Sequence, residues 1–244
     1  MTKLFFASDL HLGVPNKEKS LEREKLFVQW LDEIKHEATA LYLLGDVFDF
    51  WFEYRTVVPK GYVRILGKLA ELSDSGLPIH FFTGNHDMWV FDYLEKEINL
   101  SIYRHPIQFE LDGKTFFIGH GDGLGPNDVG YKFLKKIFSN KICQWLFARI
   151  HPNLGISIAQ YWSRKSRIAN GDKDETFHGD KEWLTQYCKE QLKTSKIDFF
   201  IFGHRHLPLE IDLGNQSTYI NLGEWVNYKS YAVFDGEKLE LKYF

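Results

Sequence analysis

The chain has 244 residues, of which 44% are hydrophobic, and this is enough to bury one sizeable core. Its formal net charge of −3 argues against a general nucleic-acid-binding protein, which would usually be basic overall. The two cysteines, Cys143 and Cys188, form no CxxC pair, so we expect neither a disulfide framework nor a zinc knuckle, and a reducing cytoplasm suits them.

The first part of the chain alternates predicted strands and helices. An apolar run at 4–8 begins almost at once, so we expect no signal peptide, and no apolar run approaches the roughly 18 residues that a membrane-spanning helix needs. Further strands are predicted at 40–44 and 79–83, and segments with helical periodicity lie between the three strands, at 20–38 and 60–75. We expect both segments to be crossover helices. The first places Leu21, Phe27, Trp30, Leu31 and Ile34 near one helical face, and the second does the same with Val63, Leu66, Leu69 and Leu72.

More strands are predicted further along. Apolar runs at 115–118 and 198–202 have the length and composition of buried strands. The end of the chain consists of short segments separated by turn signals such as Asn215, and we interpret it as a β meander. Alternating strands and helices followed by a strand-rich end predict two sheets packed face to face and flanked by helices. The strands of the meander are expected at 210–213, 217–222, 231–234 and 238–244.

Each of the first five predicted strands ends in a short polar cluster. The sheet would therefore deliver carboxylates, imidazoles and one amide to a common edge. Hard oxygen and imidazole nitrogen are donors that suit divalent Mn, Fe or Zn, and no thiolate accompanies them. The clusters are Asp9-Leu10-His11, Gly45-Asp46-Val47-Phe48-Asp49, Gly84-Asn85-His86-Asp87, Gly119-His120-Gly121-Asp122 and Gly203-His204-Arg205-His206.

One such cluster alone carries little weight. A lone Asp-x-His or Gly-Asp pair is more often a helix cap, a turn or a hydrogen-bonded core histidine than a metal ligand. Five clusters in order, all after strand-like runs, change that interpretation. Burying this many carboxylates and imidazoles at one sheet edge would be costly without a compensating positive charge, which bound cations supply. We therefore predict a metal centre.

The ordered clusters resemble the calcineurin-like metallophosphoesterases, whose pattern of D-x-H, G-D-x-x-D, G-N-H-D/E, G-H and G-H-x-H is present without a gap. The resemblance implies an α/β fold, a four-layer αββα sandwich of two mixed sheets with a helical cap insertion. It also implies two divalent metal ions, with Mn the usual metal of the family and Fe or Zn also suited to these ligands. One ion would be held by Asp9, His11, Asp46 and His206, and the other by Asp46, Asn85, His120 and His204.

The same resemblance implies catalytic roles for two residues. Asp46 would bridge the two ions, and the nucleophile would be hydroxide rather than a side chain. His86 would bind no metal but would steady the transition-state charge or protonate the leaving oxygen. For Asp49 and Asp87 two roles stay open: orienting imidazoles, or capping the helices that follow.

The interval between Asp122 and His204 is longer than the joining of two strands requires. We predict a helical cap segment at 124–181 and a core formed by 1–123 and 182–244. From 129 to 171 the cap segment is basic and aromatic and has no Asp or Glu. This composition suits an anionic ligand with apolar chains or an acidic membrane surface. An amphipathic helix pair with solvated lysines would also explain this composition, and a nucleic-acid groove would use a similar mix.

Within the metallophosphoesterases, the chain is most similar to the UDP-2,3-diacylglucosamine hydrolases of lipid A biosynthesis. The matching stretches are 46–51 and 120–122, together with the inserted cap. These enzymes cleave a lipid-linked nucleotide at its pyrophosphate to UMP and 2,3-diacylglucosamine 1-phosphate. The resemblance implies a cytoplasmic enzyme in peripheral contact with the inner membrane, with no nucleic-acid partner and no obligate protein partner. Substrate contacts would come from His86, Asp128, Lys165, Arg167 and His204, and apolar cap residues would line an acyl channel.

One position departs from that pattern, because this chain has His86 where the best-known branch has arginine. A second hypothesis is therefore another metal-dependent phosphodiesterase or phosphatase, acting on a nucleotide or a phospholipid. A third is a non-catalytic scaffold, although a scaffold has no need to keep all seven ligands. The cap distinguishes the first two hypotheses, because an apolar and basic cap suits a diacylated substrate better than a soluble nucleotide.

Overall fold

The structure is a computed structural model that describes the backbone of residues 2–125, 129–174 and 176–244, and their side chains except at 129, 166–174 and 180. The helices of these ranges are α1 (Lys17–Ile34), α2 (Val63–Asp74), α3 (Tyr93–Ile98), α4 (Val129–Ser139), α5 (Lys141–Phe147), α6 (Pro152–Asp174) and α7 (Trp183–Gln191). The strands are β1 (Leu4–Ala7), β2 (Ala40–Leu44), β3 (Ile79–Phe82), β4 (Ser101–Tyr103), β5 (Ile107–Leu111), β6 (Lys114–Ile118), β7 (Phe199–Phe202), β8 (Pro208–Gly214), β9 (Ser217–Leu222), β10 (Ser230–Phe234) and β11 (Leu239–Tyr243).

Two mixed sheets form the centre of the fold. The six-stranded sheet has the order β11-β10-β1-β2-β3-β4, in which β1 to β4 are parallel and β10 is antiparallel to β1. The five-stranded sheet has the order β5-β6-β7-β9-β8, in which β6, β7 and β9 are parallel. Parallel neighbours place their carboxyl ends at the same sheet edge. Both sheets therefore present such an edge.

The alternation of side chains along the strands produces three buried clusters. In β1, Phe5 packs on the helices of the first sheet, with its ring centroid 6.2 Å from that of Trp30. Its neighbour Phe6 points the other way, into a cluster that the two sheets share. On the far side of the second sheet, Phe200 packs with Leu184 of α7. The layers are thus helices, sheet, sheet and helix, which confirms the predicted αββα sandwich.

The predicted strands ahead of the polar clusters are confirmed as β1, β2, β3, β6 and β7, and the two predicted crossover helices are α1 and α2. α1 begins earlier than expected because the side chain of Asn16 caps it, accepting a hydrogen bond from Lys19 N at 2.9 Å. α2 begins at Val63, where the buried carboxylate of Glu24 on α1 accepts a hydrogen bond from Arg64 N at 2.9 Å.

The interpretation of the last four strands as one meander is wrong. β8 and β9 form a hairpin in the five-stranded sheet, where β9 also pairs in parallel with β7. β10 and β11 form a second hairpin, which belongs to the other sheet. The loop between β9 and β10 therefore carries the chain from one sheet to the other, and this crossing leaves no mark on the local pattern of either hairpin.

The chain between β6 and α7 contains α4, α5 and α6. These helices pack on the loops that follow β2 and β3: the ring centroids of Phe147 and Phe52 are 4.8 Å apart, and Trp89 Nε1 donates a hydrogen bond to the Phe138 carbonyl at 2.8 Å. The division into a core and a cap segment at 124–181 stays a prediction. A search of the described ranges finds no helix with the length and apolar character needed to cross a membrane.

Candidate metal centre

The polar clusters lie at the carboxyl ends of parallel strands, and backbone hydrogen bonds tie their loops together. In the first sheet, His11 N donates to the Asp46 carbonyl at 2.9 Å, so the loops after β1 and β2 run side by side. Between the sheets, His204 N donates to Asp9 Oδ2 at 2.9 Å. These bonds bring the loops of both sheets to one place.

Four side chains converge on a first point. Asp9, His11, Asp46 and His206 each offer one donor atom, and these atoms lie within 4.8 Å of one another. His11 Nε2 and His206 Nε2 are 3.0 Å apart, and His206 Nε2 is 3.2 Å from Asp9 Oδ1. The first three residues are buried, whereas His206 is partly exposed. This group is the set predicted for one ion.

A second group shares Asp46 with the first. Donor atoms of Asp46, His120 and His204 lie within 4.8 Å of one another, and His120 Nε2 is 3.3 Å from Asp46 Oδ2. Asn85 Oδ1 is 3.2 Å from His120 Nε2. His120 Nδ1 lies 2.7 Å from the Leu44 carbonyl, to which it donates, and this leaves Nε2 as the ligand atom. The structure thus brings all seven predicted ligands together, although their role as ligands stays a prediction.

The donor atoms of the two groups fit cations. Asp9 Oδ1 and Asp46 Oδ2 are buried and have no hydrogen-bond partner among the residues that the structure describes. The imidazole nitrogens of His11 and His206 that face each other at 3.0 Å can share at most one proton. Buried lone pairs that converge in this way are costly unless a positive charge compensates them. Oxygen and imidazole donors in such a set suit divalent Mn, Fe or Zn.

The backbone also distinguishes these residues. Five of the seven predicted ligands have a φ in the left-handed region, which non-glycine residues rarely adopt. Such conformations cost about 1–3 kcal/mol each and persist only where the surroundings over-determine them, most often at functional sites. The values are +53° at Asp9, +45° at His11, +52° at Asp46, +64° at His204 and +56° at His206.

Electrostatic coupling within the groups is strong. Burial alone would lower the pKa of His120, but the negative charge of Asp46, with Oδ2 3.3 Å from His120 Nε2, raises it to about 10. Burial lowers the pKa of His11 to about 3, and burial together with the charge of His120 lowers the pKa of His204 to about 4. The Asp46 carboxylate thus favours the protonated form of His120 in the metal-free protein. A cation that binds His120 Nε2 would take the place of a proton there.

A model of the Calcineurin-like phosphoesterase family matches residues 2–208. The chain belongs to this family. A UDP-2,3-diacylglucosamine hydrolase of Porphyromonas gingivalis is 42% identical over 255 residues, which cover 99% of this chain and 97% of the relative. A protein of the same name from Histophilus somni is 30% identical over 229 residues, covering 92% and 93%. Among solved structures, a novel archaeal phosphodiesterase covers 100% of both chains with a TM-score of 0.48 and 14% sequence identity.

Membership of the calcineurin-like phosphoesterases and the names of these relatives make the chain a hydrolase. The family and the clusters of histidine and aspartate side chains together indicate that it binds divalent metal.

Asp49 and His86 lie next to the predicted ligands of this phosphoesterase. His86 Nδ1 donates to the Asp49 carbonyl oxygen at 2.9 Å. Asp49 Oδ1 is 3.5 Å from His86 Nδ1 and 3.7 Å from His11 Nδ1. Of the two roles left open for Asp49, helix capping is wrong, because the next helix, α2, begins only at Val63 with Tyr62 as its N-cap. Asp49 instead lies beside two imidazoles.

Asp87 also caps no helix, since α3 begins after Asp92. Its carboxylate accepts hydrogen bonds from Gly84 N at 2.7 Å and from Val47 N at 2.9 Å. These bonds join the loops after β2 and β3. Burial and the charge of Asp46 raise the pKa of Asp87 to about 7. Asp87 thus fixes the backbone of two phosphoesterase motifs, a role that neither alternative anticipated.

Arg23 of α1 holds the first motif and was not among the residues predicted from the sequence. Its guanidinium donates to the carbonyls of Leu10, His11 and Val14 at 2.6, 2.7 and 2.6 Å. The side chain is buried, with 6% exposed. The planar guanidinium carries five N–H donors in a fixed geometry, so one side chain can serve several carbonyls. In the sequence, Arg23 stands between two glutamates and has the pattern of an ordinary solvated helix surface, so no signal marked it.

The predicted substrate contacts lie in different places. His86 and His204 are half-buried at the metal centre. Lys165 is exposed on α6, with Nζ 5.3 Å from the ring centroid of Tyr161. Arg167 lies on the same helix, but its side chain is outside the described residues, and so is the whole of Asp128. All five contacts stay predictions.

Proposed function

We propose that this phosphoesterase hydrolyses the pyrophosphate bond of UDP-2,3-diacylglucosamine to UMP and 2,3-diacylglucosamine 1-phosphate, a step of lipid A biosynthesis. The observation that carries the proposal is a pair of metal-ligand groups that share the buried Asp46. The similarity to a relative of that name supports the choice of substrate, because it extends over 99% of the chain and so includes the cap segment.

We assign one manganese ion to Asp9, His11, Asp46 and His206 and a second to Asp46, Asn85, His120 and His204. Divalent ions held by these residues would lower the pKa of a water molecule and bind the oxygens of a phosphate. The protein supplies the orientation of these ligands, as when the Leu44 carbonyl fixes His120 through Nδ1. With its own Nδ1 proton held by the Asp49 carbonyl, His86 exchanges a proton with the leaving oxygen through Nε2.

A basic groove beside the metal centre suits the anionic part of this substrate. A cavity of about 410 Å³ is lined by His120 together with Arg104 and Lys136. An adjoining cavity of about 800 Å³ also includes Arg104 and extends to Trp145 on α5. A groove with cations near the reacting centre and aromatic surface further away supports a ligand with a pyrophosphate and acyl chains.

The proposal predicts substrate preference. Metal-stripped protein reloaded with Mn²⁺ is expected to release UMP from UDP-2,3-diacylglucosamine with a kcat/KM at least about tenfold above that for bis(4-nitrophenyl) phosphate, a difference of about 1.4 kcal/mol in the barrier. Parallel reloading with Fe²⁺ or Zn²⁺ tests the choice of metal. Preference for the aryl ester would discard the lipid substrate and leave another phosphodiesterase, the second hypothesis from the sequence.

We also propose that the cap segment holds the enzyme at the cytoplasmic surface of the inner membrane. Ile142, Trp145 and Leu146 of α5 have the i, i+3, i+4 spacing of one helical face and are 69%, 56% and 55% exposed. Arg149 lies over the Trp145 ring at 4.7 Å, and Lys141 begins the helix. An exposed apolar face with cations beside it suits an anionic lipid surface.

Vesicle sedimentation tests this membrane contact. The protein is expected to sediment with phosphatidylglycerol vesicles more than with phosphatidylcholine vesicles, and Trp145→Ser should weaken the partition coefficient about tenfold, as loss of about 1.5 kcal/mol of apolar burial would. Val63→Ser is the matched control, because Val63 is 73% exposed on α2, outside the cap segment. Equal loss in both variants, or equal binding to both lipids, would contradict docking through α5.

A further inference from the structure

Ser163 connects the cap segment to the metal centre through Asp49. Ser163 lies within α6 and is buried, with 9% exposed, and its hydroxyl faces Asp49 Oδ1 at 3.1 Å and Oδ2 at 3.0 Å. Asp49 is 3% exposed. The hydroxyl donates to the carboxylate across 114 positions of sequence, so this contact exists only in the folded chain.

The carboxylate that Ser163 contacts lies between α6 and two imidazoles. Asp49 Oδ1 is 3.5 Å from His86 Nδ1 and 3.7 Å from His11 Nδ1, and the rings of His86 and His11 meet edge to face at 4.9 Å. A rotation of the Asp49 side chain therefore changes the negative charge that both rings face. The Ser163 hydroxyl, held on a helix, restrains this rotation through its hydrogen bonds to both carboxylate oxygens.

Both α5 and α6, the helix that carries Ser163, pack against the chain segment that follows Asp49. A Cβ placed on Gly155 of α6 would lie 2.9 Å from Tyr54 Oη, so helix and loop approach closely there. The ring of Phe147 on α5 lies 6.2 Å from the ring of Phe50. Ser163 thus belongs to a packed surface and not to an exposed helix that touches the core by chance.

We propose that Ser163 is a positioning residue, through which the cap segment sets the orientation of Asp49 and, with it, the reactivity of His86. The proposal rests on the proposed function only in that His86 acts on the leaving group at this centre. Loss of the hydroxyl slows the chemical step because the carboxylate can turn away from the imidazoles. We expect KM and bound metal to be kept, because the Ser163 hydroxyl acts on Asp49, which is none of the seven predicted ligands.

The test compares Ser163→Ala and Ser163→Thr with Ser157→Ala in the full chain loaded with Mn²⁺. Ser157 is a matched control on the same helix, exposed, with its hydroxyl donating to the Asn153 carbonyl at 2.7 Å. Steady-state kinetics use whichever of UDP-2,3-diacylglucosamine and bis(4-nitrophenyl) phosphate the parent hydrolyses, so failure of the proposed substrate does not stop the test. Bound Mn per chain and the melting temperature are measured for each variant.

For Ser163→Ala we expect kcat to fall on the order of tenfold, the lower end of the effect of an outer-shell partner, with KM and bound Mn unchanged. Ser163→Thr keeps a hydroxyl and should restore most of the loss, and Ser157→Ala should match the parent. The proposal is overturned if Ser163→Ala keeps the parental kcat. A second pattern would also overturn it. In that pattern, Ser163→Ala loses bound Mn or melting temperature along with kcat, and Ser163→Thr restores none of the activity, which marks a merely structural role.

Discussion

Replacing Asp46 by asparagine is expected to lower kcat/KM for phosphoester hydrolysis by more than about a hundredfold, beyond the 10- to 100-fold that loss of an outer-shell partner costs. Asp46 is fully buried, belongs to both ligand groups, and has Oδ2 3.3 Å from His120 Nε2. An asparagine side chain has no negative charge and one acceptor oxygen fewer, so it binds a pair of cations far more weakly. The fold should survive, because the shape is kept and an oxygen can still accept the hydrogen bond that His86 N donates to Asp46 Oδ1 at 2.8 Å.

The measurement combines kinetics with metal analysis and thermal unfolding. Bound Mn per chain should fall together with activity, while the melting temperature should stay within about 4 °C, which corresponds to about 1 kcal/mol for a chain of this size. Asp212→Asn is the control, because this exposed carboxylate only accepts a turn hydrogen bond from Gly214 N at 2.8 Å. It should leave activity and metal content unchanged. An Asp46→Asn enzyme within a few-fold of the parent would contradict the bridging role.

The strands that carry the candidate ligands could be predicted because they are buried on both faces. Such strands appear in a sequence as short continuous apolar runs, and in β1 and β2 every residue is buried. The ligands follow those runs within a few residues, so locating the strands also located the site. The division of these ligands into two groups came from the resemblance to the metallophosphoesterases, because strand positions place the clusters at a sheet edge but do not show which side chains share an ion.

Contacts between distant segments could not be predicted from the same sequence. Asp87 meets Val47 across 40 positions and Arg23 meets the loop at Leu10 from the buried side of a helix. Neither residue type nor periodicity predicts such a partner. A charged residue that is buried and hydrogen-bonded can have the same local sequence as a charged residue exposed to solvent. The prediction of one meander in place of two hairpins failed for the same reason, because the alternation of side chains along a strand does not show which sheet a hairpin joins.

Gly84 shows how closely the motif loops approach each other, and Gly84→Ala is expected to damage both the site and the fold. A Cβ at this position would lie 2.2 Å from Asp46 Oδ1 and 2.7 Å from Asp46 N. The backbone has little room to withdraw, because Gly84 N donates to Asp87 Oδ1 at 2.7 Å. The free energy of unfolding should fall by about 1–3 kcal/mol, as in other overpacked sites. Because Asp46 must move, kcat/KM should fall about a hundredfold, the cost of a 1 Å misplacement of catalytic groups.

Gly67→Ala provides the matched control for that substitution. Gly67 lies inside α2, and a Cβ built on it meets nothing within 4 Å. Alanine there should raise the free energy of unfolding by about 0.5–1 kcal/mol and leave kcat/KM unchanged, because it only removes backbone freedom from the unfolded chain. Denaturant unfolding should therefore give free-energy changes of opposite sign for the same chemical change, and hydrolysis assays should show a loss of activity only in Gly84→Ala. If Gly84→Ala instead matched Gly67→Ala in both measurements, the loops after β2 and β3 would have to move apart at no cost, and the close approach of Gly84 to Asp46 would not be needed for activity.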